Sequence, residues 1–392
     1  MAIKVLPRLP IPLAQPEIDE SDILAVTNVL RSPTLSIGPR LEEFEMAVAQ
    51  YSGARFGIGV NSGTSGLHMC VVASDIGVGD EVITSPFSFV ASANCIAYTG
   101  ARPVFADIEE LSLAVDPVRV VEKIGPSTKA LVPVDVFGEP SPVEKYRAIA
   151  EEFNLTVIRD SCEAIGSERD GVKIGSPDIC DMAVLAFYPN KQLTTGEGGM
   201  IVTDNPGVAS TLRSLRNQGR DDAGTWMNPV RLGYNYRLDE MSAALGYSQV
   251  TRLDSIIDRR NAVAAWYSAR LKSIADIREP VVSGRTTRMS WFVYVARLDP
   301  SIDRSLLIRL LDEDGIPTRP YFVPIHLQPW YRRQYGYKEG DYPVTERVAS
   351  STLALPFFTS MSECQVEYVC DRLEVNLRLS QRATTSFRRG SI

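Results

Sequence analysis

From residue 56 to residue 203 the chain alternates short apolar runs with stretches of helical spacing. The runs cover 56–60, 81–84, 103–106, 130–134, 156–160, 182–187 and 200–203. Several are continuously apolar, the pattern of strands covered on both faces. Residues 63–73, 89–98 and 143–153 read as intervening helices. This alternation predicts an α/β fold around a mostly parallel central sheet. Further on, Met241, Ala244, Leu245, Leu253, Ile256 and Ile257 recur at helical spacing. They predict one long helix over 239–271, with Asp239 as its N-cap. Residues 291–298 read as a strand, 305–314 as a helix and 362–379 as a closing helix. The expected organisation is a large domain over 1–255, a smaller α+β C-terminal domain over 256–380, and a disordered tail over 381–392.

Composition narrows the function. At net charge −7 the chain lacks the basic surplus that a phosphate backbone demands, which argues against nucleic-acid binding. Its six cysteines form no CxxC pair, and its only histidines, His68 and His326, lie far apart, so no metal site is expected. With no secretory h-region and no apolar run near the roughly 18 residues of a membrane span, the expectation is a cytoplasmic protein with reduced thiols and no membrane contact.

Candidate chemistry lies just beyond predicted strands. In Phe187-Tyr-Pro-Asn-Lys191-Gln-Leu-Thr-Thr-Gly196-Glu-Gly-Gly199 a lysine occupies a turn between two apolar runs. A partly desolvated lysine serves as nucleophile and proton carrier; standing alone, Lys191 reads equally well as a surface residue. In Thr156-Val-Ile-Arg-Asp160-Ser-Cys-Glu163-Ala, Asp160 closes a strand at the edge where open α/β sheets bind ligands. Such a carboxylate can hold a pyridine nitrogen protonated and make pyridoxal phosphate an electron sink, or simply cap a helix starting at Ser161. Val60-Asn-Ser-Gly63-Thr64-Ser65-Gly66-Leu67 passes from strand to helix, where N–H groups and hydroxyls cradle phosphate or merely cap the helix. Phe89, in Ser85-Pro-Phe-Ser-Phe89, suits stacking on a flat ring as well as a place in the core. Cradle, ring stacker, ring-nitrogen carboxylate and lysine together make the set that one pyridoxal phosphate needs.

On these motifs the chain resembles the DegT/StrS family of sugar aminotransferases, of the aspartate-aminotransferase fold type I. The resemblance runs from Leu30-Arg-Ser-Pro-Thr-Leu-Ser-Ile-Gly38 to Leu353-Ala-Leu-Pro356-Phe-Phe. Its most specific stretches are Asn61-Ser-Gly-Thr-Ser65, the lysine turn, and Leu232-Gly-Tyr-Asn235-Tyr-Arg237-Leu with Ala243-Ala-Leu-Gly246. It implies a three-layer fold with Lys191 as the Schiff-base lysine, Asp160 on the ring nitrogen and Glu163 near the ring hydroxyl. It further implies Gly63, Thr64 and Ser65 at the phosphate and Phe89 on the ring. It also implies a homodimer in which Asn235 reaches the neighbouring subunit's cofactor phosphate. The implied reaction moves an amino group from L-glutamate to a C3 or C4 ketone of a nucleotide-linked deoxy sugar. Arg220 and Arg237 are candidates to offset diphosphate charge, and the segment Tyr321-Phe-Val-Pro-Ile-His326-Leu-Gln-Pro329 to line the substrate end, where His326 reads equally well as a structural loop histidine.

The sequence departs from the family pattern at named positions. Glu163 stands where many members carry glutamine, Ala186 where many carry a phosphate-binding serine, and Asp135 where histidine is common. Asp135 therefore bears on substrate preference. Strand alternation turns Arg159 away from Asp160. The alternatives are a cyclitol ketone as acceptor, a dehydratase of the sister branch that carries histidine for the lysine, and a cofactor-binding regulator without turnover.

Overall fold

The computed structural model describes residues 11–221 and 228–389, with side chains through Gln381. Its centre is a seven-stranded sheet. The strands are β1 (Phe56–Val60), β2 (Glu81–Thr84), β3 (Arg102–Phe105), β4 (Thr128–Val132), β5 (Thr156–Asp160), β6 (Met182–Ala186) and β7 (Gly199–Thr203). Their order across the sheet is β1-β7-β6-β5-β4-β2-β3. Neighbours from β6 to β3 pair in parallel, and β7 runs antiparallel to both β1 and β6. The mostly parallel sheet is as the apolar runs predicted, because both of its faces are covered. Helix Gly63–Ala73 buries Leu67, Met69, Cys70 and Val71 against it. On the other face lies a cluster that includes Phe44, Tyr146, Phe187 and Ile256.

The expected helix over 239–271 is two helices, Glu240–Val250 and Leu253–Leu271. Asp239 does cap the first, its carboxylate accepting from Ser242 N–H at 2.9 Å. The break falls at Thr251-Arg252. There the Arg252 guanidinium pairs with Asp22, and lies 3.3 Å from both Glu17 and Asp19. Apolar residues on either side of the break stay in helical phase, so periodicity could not show it. Helix Leu253–Leu271 starts in the core of the large sheet with Leu253, Ile256 and Ile257, and ends in another with Val263, Tyr267 and Leu271. The second core covers a three-stranded antiparallel sheet of β8 (Ile277–Arg278), β9 (Tyr294–Leu298) and β10 (Thr352–Leu355). The closing helix spans Glu363–Arg389, past the expected end at residue 379, since neither Pro nor Gly interrupts it before Gly390. Among the described residues no helix is long and apolar enough to cross a membrane.

Two arginines are buried inside these parts. Arg260, wholly buried, donates from Nε to Trp291 O and from Nη2 to Phe292 O, each at 2.7 Å, and from Nη1 to Thr359 Oγ1 at 3.1 Å. Burial lowers its pKa to about 9. Arg159 on β5 points away from Asp160, as alternation predicted, and meets Asp135 with Nε 2.8 Å from Oδ2. Ser161 Oγ donates to Asp135 Oδ2 at 2.6 Å, and Ser141 N and Oγ donate to Oδ1, each at 2.8 Å. Asp135 is therefore the counter-ion of Arg159, fully buried behind the sheet, which corrects the expectation that it bears on substrate preference. Removing one partner of a buried pair strands the other charge, at a cost of about 3–5 kcal/mol. Arg159→Met is expected to lose that much in chemical denaturation; a loss below about 1 kcal/mol would show that the pair is dispensable.

Candidate active site

Loops leaving the C-terminal ends of the parallel strands converge on a cavity of about 550 Å³. Such edges are where open α/β sheets bind ligands. After β1, Ser62 is the N-cap of helix Gly63–Ala73, its hydroxyl accepting from Ser65 N–H at 3.1 Å. Ser62, Gly63 and Thr64 line the cavity at the positive end of that helix. A Cβ on Gly63 would lie 2.8 Å from Ala186 Cβ and 2.9 Å from Cys162 Sγ. One on Gly199 would lie 2.7 Å from the Ser62 carbonyl carbon. The turn thus packs directly on β6 and β7. Ala186, the position where a serine was expected, abuts the cradle with no hydroxyl to offer.

After β2, Ser88 and Phe89 reach the cavity. Phe89 lies before helix Ala91–Ala97 rather than inside it, and at 60% exposed its ring face is open to a flat ligand. Asp160 ends β5. Ser92 Oγ donates to its Oδ2 at 2.6 Å and Cys162 N–H to its Oδ1 at 3.2 Å. Burial pushes its carboxyl above the ordinary range, while those hydrogen bonds and the Lys191 charge act the other way. A protonated ring nitrogen brought against it would add to the second group and favour the carboxylate.

Lys191 sits in the turn between β6 and β7. The turn is held from several sides: Thr195 N–H donates to Phe187 O at 3.0 Å and Thr194 N–H to Gln249 Oε1 at 3.0 Å. Gln192 Nε2 donates to Glu163 O at 2.7 Å. Lys191 Nζ lies 3.7 Å from the centre of the Phe292 ring and 3.5 Å from Glu163 Oε1. Glu163 is not turned aside: its other oxygen accepts from Phe137 N–H at 2.8 Å. Its carboxyl is pushed up by burial and drawn down by Lys191 and by that N–H.

Of the residues singled out from sequence, Gly63, Thr64, Phe89, Asp160, Glu163, Lys191 and Tyr321 line this cavity. The others do not. Ser65 turns to Ser62, Oγ to Oγ at 2.9 Å, so Ser62 takes the place on the wall expected of Ser65. Asn235 is exposed and paired through its backbone with Asn217. Arg220 donates to Gln218 Oε1 and Arg237 to Asn217 Oδ1. His326 is fully buried, with Nε2 2.9 Å from Glu346 Oε1 and its ring edge-on to Tyr342, and burial lowers its pKa. It is a structural histidine, which corrects its expected place at the substrate end. Asn190 and Phe292 also line the cavity and were not foreseen, while Phe322 lies in the segment expected at the substrate end. The position of Ser62 just before a helix was a readable signal. Phe292 arrives from the second half of the chain with no local mark.

Residues 16–374 match the sequence profile of the DegT/DnrJ/EryC1/StrS aminotransferase family. The chain belongs to this family. It is 38% identical over 374 residues to the spore coat polysaccharide biosynthesis protein SpsC of Bacillus subtilis, covering 92% of this chain and 95% of SpsC. It is 34% identical to the GDP-perosamine synthase of Caulobacter vibrioides, over 94% of this chain and 98% of the relative. The crystal structure of DesV from S. venezuelae in complex with a ketimine intermediate superposes with a TM-score of 0.85 at 34% identity, covering 90% of this chain and 93% of DesV.

This sugar aminotransferase uses pyridoxal phosphate, and the cavity fits that group. It has the volume of a cofactor pocket, a glycine cradle at a helix N-terminus, an open aromatic face, a buried carboxylate and a lysine. The Oδ1 of Asn190, buried without a hydrogen-bond partner, also belongs to a cavity-lining residue. Overpacking of the kind Gly63→Ala would cause costs about 1–3 kcal/mol, some 5- to 150-fold in an equilibrium constant. Gly63→Ala is expected to weaken pyridoxal-phosphate affinity by tenfold or more in a fluorescence titration; unchanged affinity would remove the Ser62–Thr64 turn from the phosphate site.

Proposed function

We propose that this enzyme moves an amino group from L-glutamate to a C3 or C4 ketone of a nucleotide-linked deoxy sugar, with Lys191 as the covalent anchor of the cofactor. The observation that carries the reading is the meeting of Lys191 and Asp160 in one cavity in which, among the described residues, Lys191 is the one lysine on the wall. The name of the Caulobacter relative supports a nucleotide-linked product.

Bound pyridoxal phosphate supplies an electron sink that lets a C–H bond beside the substrate nitrogen ionise. The chain's own groups do the rest. The N–H groups and hydroxyls of Ser62–Thr64 hold the phosphate, the more so because Ala186 offers none. Asp160 keeps the ring nitrogen protonated. Phe89 covers one ring face and excludes water. Lys191 Nζ, once displaced by the incoming amine, carries the proton taken from the donor's α-carbon. The ping-pong order follows, because one cavity serves donor and acceptor in turn.

Lys191 occupies the position where the dehydratase branch has histidine, and among the described residues no histidine lines the cavity, which speaks against the dehydratase reading. Asn235 lies outside its own chain's cavity, in a surface segment with Val230 and Leu232, the latter 85% exposed. That arrangement supports a homodimer in which this segment meets a second copy and Asn235 serves the other cavity.

The purified protein loaded with pyridoxal phosphate is expected to absorb in the visible, and the band to bleach with L-glutamate. Lys191→Ala is expected to show no lysine-linked band and no cofactor mass on the peptide after borohydride reduction. A wild type that takes up cofactor without a borohydride-stable link to Lys191 would sink the proposal. Keto-sugar and keto-cyclitol acceptors offered side by side separate the two acceptor classes.

A further inference from the structure

Glu163 is a departure from its family's pattern that the reaction above leaves without a task. Its two oxygens face different partners. Oε2 is fixed by Phe137 N–H at 2.8 Å, and Oε1 faces Lys191 Nζ at 3.5 Å. Among the described residues it carries the one carboxylate within 4.0 Å of that nitrogen. Both side chains are nearly buried, Lys191 at 12% and Glu163 at 9% exposed. A charge placed this near acts with little screening by water or salt.

The other titratable groups around the cavity are Asp160, Cys162, Tyr188, Glu197 and Tyr321, with Arg319 acting on Tyr321 from outside. Asp160 already has a donor on each oxygen, from Ser92 and Cys162. It is assigned to the ring nitrogen in the proposed mechanism. The centre of the Phe292 ring also lies 3.7 Å from Nζ, and an aromatic face favours a cation. The Lys191 nitrogen thus contacts both a carboxylate and an aromatic face. A glutamine at residue 163 would keep the acceptor for Phe137 N–H and lose the charge.

We propose that Glu163 is the counter-ion that keeps the Lys191 nitrogen protonated when the cofactor is attached to it. This rests on Lys191 as the anchor. A protonated nitrogen makes the attached carbon more open to attack by the donor amine, so Glu163 sets the pH range over which the resting enzyme accepts its donor. The sign is fixed: a nearby negative charge raises the proton affinity of the nitrogen, and its loss lowers it.

The test is a spectral pH titration of the cofactor-loaded wild type and Glu163→Gln, with melting temperature as a control for folding. The visible band of the protonated nitrogen is expected to be lost at a pH lower by one unit or more in Glu163→Gln, a tenfold or greater fall in proton affinity. Melting temperatures should stay close, because Phe137 N–H keeps its acceptor. A midpoint within about 0.3 unit of wild type would overturn the proposal, since a merely structural Glu163 would leave it unmoved. Glu163→Asp retracts the charge by one carbon and should lower the midpoint less. If Glu163→Gln fails to hold cofactor, an unchanged or raised midpoint in Glu163→Asp overturns the proposal in its place. A wild type without any lysine-linked band fails the proposed function itself; a wild-type band with an unshifted variant fails only the role of Glu163.

Discussion

The centre of this protein depends on one strand that carries two adjacent charges into the interior. Arg159 and Asp160 end β5 and project to opposite faces of the sheet, and neither reaches bulk water. Burying a charge is tolerated only when it is paired or hydrogen-bonded. Each charge is therefore answered locally. Asp135, Ser161 and Ser141 close an ion-pair network around Arg159 on the far side. Ser92 and Cys162 hold Asp160 on the near side. Because both networks draw on the loops after β2, β4 and β5, satisfying β5 also fixes the loops that form the cavity.

Much of this was legible in the sequence, for identifiable reasons. Strands buried on both faces leave continuous apolar runs, so each strand of the large sheet was foreseen to within two residues at either end. Gly63, Thr64 and Lys191 lie just beyond those strands and Asp160 ends one, and knowing the strands placed them at one edge. Less legible were features set by distant partners. The break at Thr251-Arg252 comes from acidic residues at Glu17, Asp19 and Asp22, far away in sequence. Asp135 read as a substrate-facing residue because its partner lies on another strand. His326 carried the chemistry of a ligand contact, but its loop folds inward onto Glu346.

The Lys191 turn shows how a reactive side chain is kept in place without a rigid element beneath it. Its backbone is tied to Phe187, Gln249 and, through Gln192, to the carbonyl of Glu163 and to Ser290 Oγ. Side chains that hold the loop are thus distinct from those that act in the cavity. Glu163 joins the two sets, its carbonyl bracing the loop while its carboxylate faces Lys191 Nζ.

The wall of the cavity has two origins. The lining residues from Ser62 to Gly198 come from the first sheet and the loops around it, whereas Phe292, Tyr321 and Phe322 come from the second half of the chain. Helix Leu253–Leu271 joins the halves through apolar contacts in both cores, and its Arg260 holds the chain at Trp291 and Phe292 by their backbone carbonyls. Those joints are indifferent to which side chains project beyond them. Substitutions at Tyr321 and Phe322 can reshape the space open to an acceptor without touching the residues from the first sheet, whereas Phe292, 3.7 Å from Lys191 Nζ, ties the second half of the chain to the lysine itself, so a scaffold of this kind has some wall positions free to vary beside one that is not.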